Sequence, residues 1–339
     1  MMGRHEQSRA VSRRWLRSVI TLVFSGLCVW YIVARIDLAE TGRVLGRSRL
    51  SLLALALAIL VLAIVPLAWR WQRLLAARGI GDRFGWLLRA YLVSYTASQI
   101  FPTALGGDAT RIYETARRHR GRSSEVAGSV LIERGLGAAA TLLLGVVGFV
   151  LAFGRYDVGA YLWLELAIAV GASGLALVVF SRNARGPLRK LLPLLERVRL
   201  ARAVSSLYRG LHGYRSHPRL IYRMLVLTLA VQTSRILALW LCGLAVGVHL
   251  SPLPYLVMGP MFFLVMLAPF TLNGFALREA FFVSFLGQLG VSADQAFSTG
   301  FVFFLLGLLQ SFPGAVIWAV EAVRGPVLTE LRTEPAVRS

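Results

Sequence analysis

The residues with the most chemical potential in this chain stand in two short stretches, each interrupting an apolar run. The first is Phe101-Pro102-Thr103-Ala104-Leu105-Gly106-Gly107-Asp108-Ala109-Thr110-Arg111. The second is Ala268-Pro269-Phe270-Thr271-Leu272-Asn273-Gly274-Phe275-Ala276-Leu277-Arg278-Glu279. Pro, Leu, Gly, Ala and Arg recur at matching offsets, at 102/269, 105/272, 107/274, 109/276 and 111/278. A helix that breaks and restarts exposes unpaired backbone N–H groups at the restart, and its dipole adds partial positive charge there. Thr103, Gly106, Gly107 and Arg111 in one break, with Asn273, Gly274 and Arg278 in the other, therefore suit an anionic head group, above all a phosphate. Asp108 and Glu279 would neutralise the arginines while the site is empty, or gate them. Pro102 and Pro269 make the breaks. The plainer reading is that Arg111 and Arg278 pair with Asp108, Glu279 or Glu133 only to hold helices together.

Four further polar residues lie inside apolar runs and support the same places: Glu133, Arg134, Gln232 and Arg235. Ionisable residues within membrane segments are functional candidates by default. Glu133-Arg134 could also sit at the interface with Arg134 snorkelling. The five histidines (His5, His119, His212, His217, His249) show no metal-ligand spacing, and no nucleophile elbow or P-loop is visible. The expectation is a protein that is not an enzyme and carries neither cofactor nor metal.

The elements that position these residues follow from composition. The 339 residues are 57% hydrophobic with a mean hydropathy of +0.66, which with long uncharged runs describes a polytopic membrane protein. The net charge of +21 falls mainly in the gaps between apolar runs, so it speaks for topology and anionic inner-leaflet lipids rather than nucleic acid. Cys28 and Cys242 read as small buried residues without a disulfide. Residues 1–14 form a basic tail and 325–339 a C-terminal tail. Between them, 15–324 reads as one transmembrane domain with a retained first span.

Full spans are expected over Trp15–Ile36, Leu50–Trp69, Val126–Phe153, Val158–Phe180, Met224–Val248 and Ala296–Val323. Asp37–Arg49 reads as a connection, and Trp69-Arg70-Trp71-Gln72-Arg73 as an interface anchor. Trp86–Phe101 is short, and Arg111, Arg117, Arg118, Arg120 and Arg122 crowd the residues after the break. A full crossing would put that cluster outside, against the positive-inside rule. A re-entrant hairpin turning at Pro102–Gly107 satisfies both flanks, and Tyr255–Pro269 with Arg278–Leu289 forms its counterpart. Gly154-Arg155-Tyr156-Asp157 is a tight external turn. Segment 182–223 is basic, with Leu188, Leu191, Leu192, Leu195 and Val198 at helical spacing, and reads as an amphipathic helix on the inner leaflet or a solvated loop.

The expected fold is thus all-α, with six full spans and two re-entrant helical hairpins in an inverted repeat (about 50–153 and 224–323), both termini cytoplasmic. Eight full spans are the alternative. Broken segments at corresponding places in two halves point to a transporter's binding site.

Phe101-Pro102-Thr103 with Gly106-Gly107-Asp108 and Arg111, then Ser129-Val130, Glu133-Arg134, Pro269, Asn273-Gly274 and Arg278-Glu279, resembles the lysylphosphatidylglycerol synthase transmembrane, or flippase-like domain, family. The resemblance runs from about Trp15 to Arg324. In two-part synthases of that family this module is credited with moving aminoacylated phospholipid between leaflets, while a soluble domain makes the lipid. The resemblance implies a stand-alone member lacking the soluble aminoacyltransferase domain, and other stand-alone members are associated with hopanoids and lipid-linked sugars. The expectation is translocation of a polar or anionic lipid across the cytoplasmic membrane, with the lipid as partner. The alternatives are a non-transporting accessory subunit that recruits a separate lipid-synthesising enzyme, and a membrane-embedded lipid transferase using Asp108 or Glu133 as base.

Overall fold

A computed structural model describes residues 38–100, 105–155, 163, 213–214, 216–266 and 277–324. The expected spans Trp15–Ile36 and Val158–Phe180 fall outside these, apart from position 163, as do the tails, most of 182–223, and Pro102, Thr103, Pro269, Asn273 and Gly274. The described residues are helical: α1 Leu38–Gly46, α2 Leu50–Leu62, α3 Ile64–Ala76, α4 Phe84–Ile100, α5 Leu105–Arg118, α6 Ser123–Ala152, α7 Pro218–Ala245, α8 Pro252–Val265, α9 Leu277–Gly287 and α10 Ala293–Arg324. No strand occurs among the described residues. Four stretches are long and apolar enough to cross a membrane: Leu50–Ala76, Ser123–Ala152, Pro218–Ala245 and Ala293–Glu321. The chain is a multi-pass helical membrane protein.

Several expected boundaries move. The connection after residue 37 contains helix α1, which packs on α10. The second span continues beyond Trp69 to Ala76, and its two helices meet at Ala63. Pro66 explains the joint, because it has no N–H to donate one turn back and its ring crowds the carbonyl of Leu62. The α7 span begins at Pro218, a residue suited to a first helical turn, rather than at Met224. Helix α5 is already formed at Leu105, so Gly106 and Gly107 lie within it and the turn is shorter than Pro102–Gly107.

Cross-contacts fix the packing directions. Helices α4 and α5 are antiparallel: Ser94 Oγ donates to Gly107 O at 2.7 Å, and Arg89 meets Glu114 at 2.6 Å. Arg89 also pairs with Glu321 near the end of α10. Asp82 accepts from Arg118 and faces His119, Arg122 bonds Arg78 O, and Tyr214 donates to Leu74 O at 2.9 Å. The end of α3, the start of α4, the end of α5, the start of α6 and the end of α10 therefore gather at one arginine-rich end. At the opposite end Arg49 N donates to Ala245 O, and Gln295 donates to Gly247 O at 3.3 Å. Helices α9 and α10 are antiparallel, with Phe282 against Gly300 and Arg278 over Phe304.

The two halves interlock. Helix α2 packs on α7, α6 packs on α8, and α10 packs on α4. At both of the last two contacts a glycine makes the approach possible. A Cβ at Gly148 of α6 would lie 2.7 Å from Leu256 O of α8, and one at Gly314 of α10 would fall on Leu92 O of α4. Helix α9 buries Phe281, Phe282 and Phe285 in an aromatic cluster with Phe262 and Phe303.

Candidate functional site

The first half holds a chain of buried charges, built from four helices. The apolar spacing of Ile64, Leu67, Ala68, Trp71 and Leu75 turns one face of α3 inward, and Arg70 shares it. On α6, Ser129 and Glu133 are one turn apart and lie on one buried face. On α5, Asp108 and Arg111 are three residues apart and meet directly. Arg70, Arg111 and Glu133 are 4%, 4% and 3% exposed.

The contacts alternate in sign. Arg134 Nε donates to Asp108 Oδ2 at 2.6 Å. Asp108 Oδ1 accepts from Arg111 Nη2 at 2.8 Å and Nε at 3.1 Å. Arg111 Nη1 donates to Glu133 Oε2. Glu133 Oε1 accepts from Arg70 Nε at 3.1 Å with Arg70 Nη2 also 3.1 Å away, and Arg70 Nη1 ends the chain by donating to Thr228 Oγ1 of α7 at 2.7 Å. Among the described residues, these contacts join three guanidiniums to two carboxylates. The Arg134 side chain is 38% exposed and that of Glu133 only 2%, so the chain leads from an open end to a closed one.

Aromatic faces complete the surroundings. The Arg111 guanidinium lies 4.9 Å from the Trp71 ring centre and 4.8 Å from that of Tyr91. Trp71 is fully buried and donates from Nε1 to Ser129 Oγ at 3.0 Å. Each face gives Arg111 a cation–π contact while leaving its N–H edges for the carboxylates.

The remaining expected residues fall elsewhere. Arg278 pairs with its neighbour Glu279 and lies 4.2 Å over Phe304, both charged residues being buried. The contacts of Arg111 and Arg278 share no residue among the described ones. Gln232 donates to Thr141 Oγ1 at 2.7 Å and accepts from Arg235 Nη1 at 3.2 Å. Gly106 is half-buried in α5. Gly107 was expected to let backbone approach a ligand, but its open side is filled by Ser94 O and Ser98 Oγ of α4. Its role in the structure is close helix packing. Arg111 and Arg278 pair as the plainer reading anticipated, and Arg111 takes both Asp108 and Glu133.

The sequence places both Arg70 and Trp71 in an interface anchor and gives no sign of Tyr91 or Thr228. The anchor is half right. Trp69 is partly exposed with Arg73 5.0 Å over its ring, one turn away on the outer face. Arg70 and Trp71 turn the other way. The signal was the three-four period of α3, which runs on through Trp71 and Leu75 and so carries the inward face past Trp69.

Comparison with known proteins agrees with the helical membrane architecture. The family model of the lysylphosphatidylglycerol synthase transmembrane region matches residues 18–314, and the chain belongs to that family. No match was found among curated proteins or among solved structures.

Proposed function

We propose that this member of the lysylphosphatidylglycerol synthase transmembrane family translocates a polar or anionic lipid between the leaflets of the cytoplasmic membrane, acting as a carrier rather than a catalyst. The observation that carries the reading is the alternating chain of arginines and carboxylates from Arg134 to Arg70, which is buried at one end and open at the other. Buried charge of this kind is costly in a membrane and is retained where polar cargo must pass. A phosphate head group offers the oxygens that Arg111 and Arg134 now take from Asp108.

The topology supports alternating access. Fourteen-residue α5 carries Asp108, Arg111, Glu114, Arg117 and Arg118, which no lipid-facing span tolerates. This favours a re-entrant α4–α5 hairpin over eight full spans, with the arginine-rich end cytoplasmic. Helices α8 and α9 form the opposed hairpin, opening at the other end. The reciprocal packing of α6 on α8 and α10 on α4 is what an inverted repeat requires. The basic charge of segment 182–223 suits anionic lipid and a lipid-synthesising enzyme as partners.

The test is reconstitution of the purified chain into liposomes containing fluorescent phosphatidylglycerol, followed by chemical quenching from outside. Complete quenching, against about half in protein-free vesicles, is the expected result. Half quenching with the protein present would refute the reading.

A further inference from the structure

Arg235 stands apart from the other buried or half-buried arginines that lie within the described helices. Arg70, Arg111, Arg134 and Arg278 each hold at least one carboxylate. Arg235 touches none among the described residues. Its contacts are neutral: Nη1 donates to Gln232 Oε1 at 3.2 Å, and the guanidinium lies 4.5 Å from the Phe263 ring centre. It sits ten residues before the end of the Pro218–Ala245 span, about 15 Å of helical rise from the nearer end. A guanidinium at that depth with no counter-charge is expensive.

Its direction excludes a lipid-facing role. Thr228, Gln232, Arg235, Leu239 and Cys242 follow one another at helical spacing on a single face of α7. Thr228, Gln232, Leu239 and Cys242 are buried, whereas Val226 and Leu237 on the opposite face are exposed. Arg235, in the middle of the buried face, is itself only half-buried. Its accessible part therefore opens inside the bundle. The same face runs back through Gln232, held by Thr141 of α6, to Thr228, which receives Arg70.

We propose that Arg235 is an anion station that takes a phosphate mono- or diester, the ligand supplying the counter-charge that no described residue provides. The planar fork matches two phosphate oxygens, Phe263 covers the guanidinium face, and Gln232 fixes its rotamer. Thr228 and Gln232 line the step between Arg70 and this station. That the phosphate is a lipid's rests on the translocation reading; the station itself does not.

The experiment titrates the full chain, in an uncharged detergent at low salt, with dihexanoyl-phosphatidylglycerol and separately with inorganic phosphate, while melting is followed in parallel. Arg235→Gln should weaken phosphatidylglycerol binding at least about tenfold and leave the midpoint unchanged or higher, since a deep unpaired charge is removed. Arg235→Lys should recover only part of the affinity, as a point charge without the fork. Unchanged affinity in a folded Arg235→Gln, or no binding of either probe by the native chain, overturns the station. If Arg235→Gln does not fold, Arg235→Lys decides, and native affinity there overturns it as well. Tight binding of inorganic phosphate alone, lost in Arg235→Gln, keeps the station and sinks the lipid reading. Intact binding at Arg235 without leaflet exchange in liposomes sinks translocation alone.

Discussion

Replacing Glu133 with Gln should be among the most destructive single-atom changes available to this chain. The side chain is 2% exposed and its two oxygens hold different arginines, Arg70 from α3 and Arg111 from α5. Gln keeps the volume and one acceptor but removes the charge. Arg70 is then left with Thr228 as its neutral partner, while Arg111 keeps Asp108. Removing one member of a buried ion pair costs about 3–5 kcal/mol, because the other charge stays buried uncompensated. The retained acceptor and the surviving Asp108 contact argue for the lower part of that range, about 3 kcal/mol. Adding Arg70→Met should recover part of the loss, so that the double variant falls short of the two single losses combined by about 2 kcal/mol. Reversible unfolding in mixed micelles with increasing anionic detergent measures all three variants. Glu321→Gln is the control: its partner Arg89 is a quarter exposed, and such pairs contribute at most about 1 kcal/mol. Interhelical hydrogen bonds in membranes average about 0.6 kcal/mol. A loss near that value for Glu133→Gln, or strict additivity with Arg70→Met, would refute the argument that Glu133 acts as a shared charge.

Two other outcomes are expected. Gly314→Ala puts a methyl group on Leu92 O and should cost about 1–3 kcal/mol in the same unfolding assay, while Gly307→Ala, with open space around it, should be neutral or slightly stabilising. In a background with Cys28 and Cys242 replaced, Arg120→Cys should react with impermeant maleimide only from the cytoplasmic side and Gln288→Cys only from the other; labelling of both from one side contradicts opposed hairpins.

Much of this arrangement could be read before any coordinates. Hydropathy located the Ser123–Ala152 and Ala293–Arg324 helices within a few residues and Pro218–Ala245 with its start six residues late, because a membrane-crossing helix needs a long apolar run that little else imitates. The positive charge around Arg117–Arg122 led to a returning hairpin, and the Ser94–Gly107 and Arg89–Glu114 contacts agree with a chain that doubles back. Asp108, Arg111, Glu133 and Arg134 were all singled out, and the structure brings them together. What escaped was the identity of the partners. Arg70 was lost because an arginine beside tryptophans at a span's end looks the same whether it faces head groups or the interior; only the period of the following leucines separates the cases. Gly107 packs against Ser94 and Ser98 of α4, and a glycine that admits a ligand and one that admits a neighbouring helix leave the same mark in a sequence. Arg235 reads as polar support in the sequence, but that no described carboxylate meets it is a fact of three dimensions.

The reciprocal seating of α10 on α4 has a consequence for how the protein is made. Leu92 and Thr96 of α4 leave the ribosome more than two hundred residues before Gly314 and Ser311, the groups that cover them. Thr96 Oγ1 donates to Ser311 O, and Arg89 awaits Glu321, so during synthesis the first helix pair stands in the bilayer with one flank unclaimed. The first half on its own is therefore an unfinished object, exposed to lipid and to membrane proteases until the last helix arrives. Shortening the chain before Ser311 should shorten its lifetime in the cell, and supplying the missing half as a second polypeptide should restore it. Two halves that each complete the other must be produced in equal amounts, and a single continuous chain guarantees that stoichiometry.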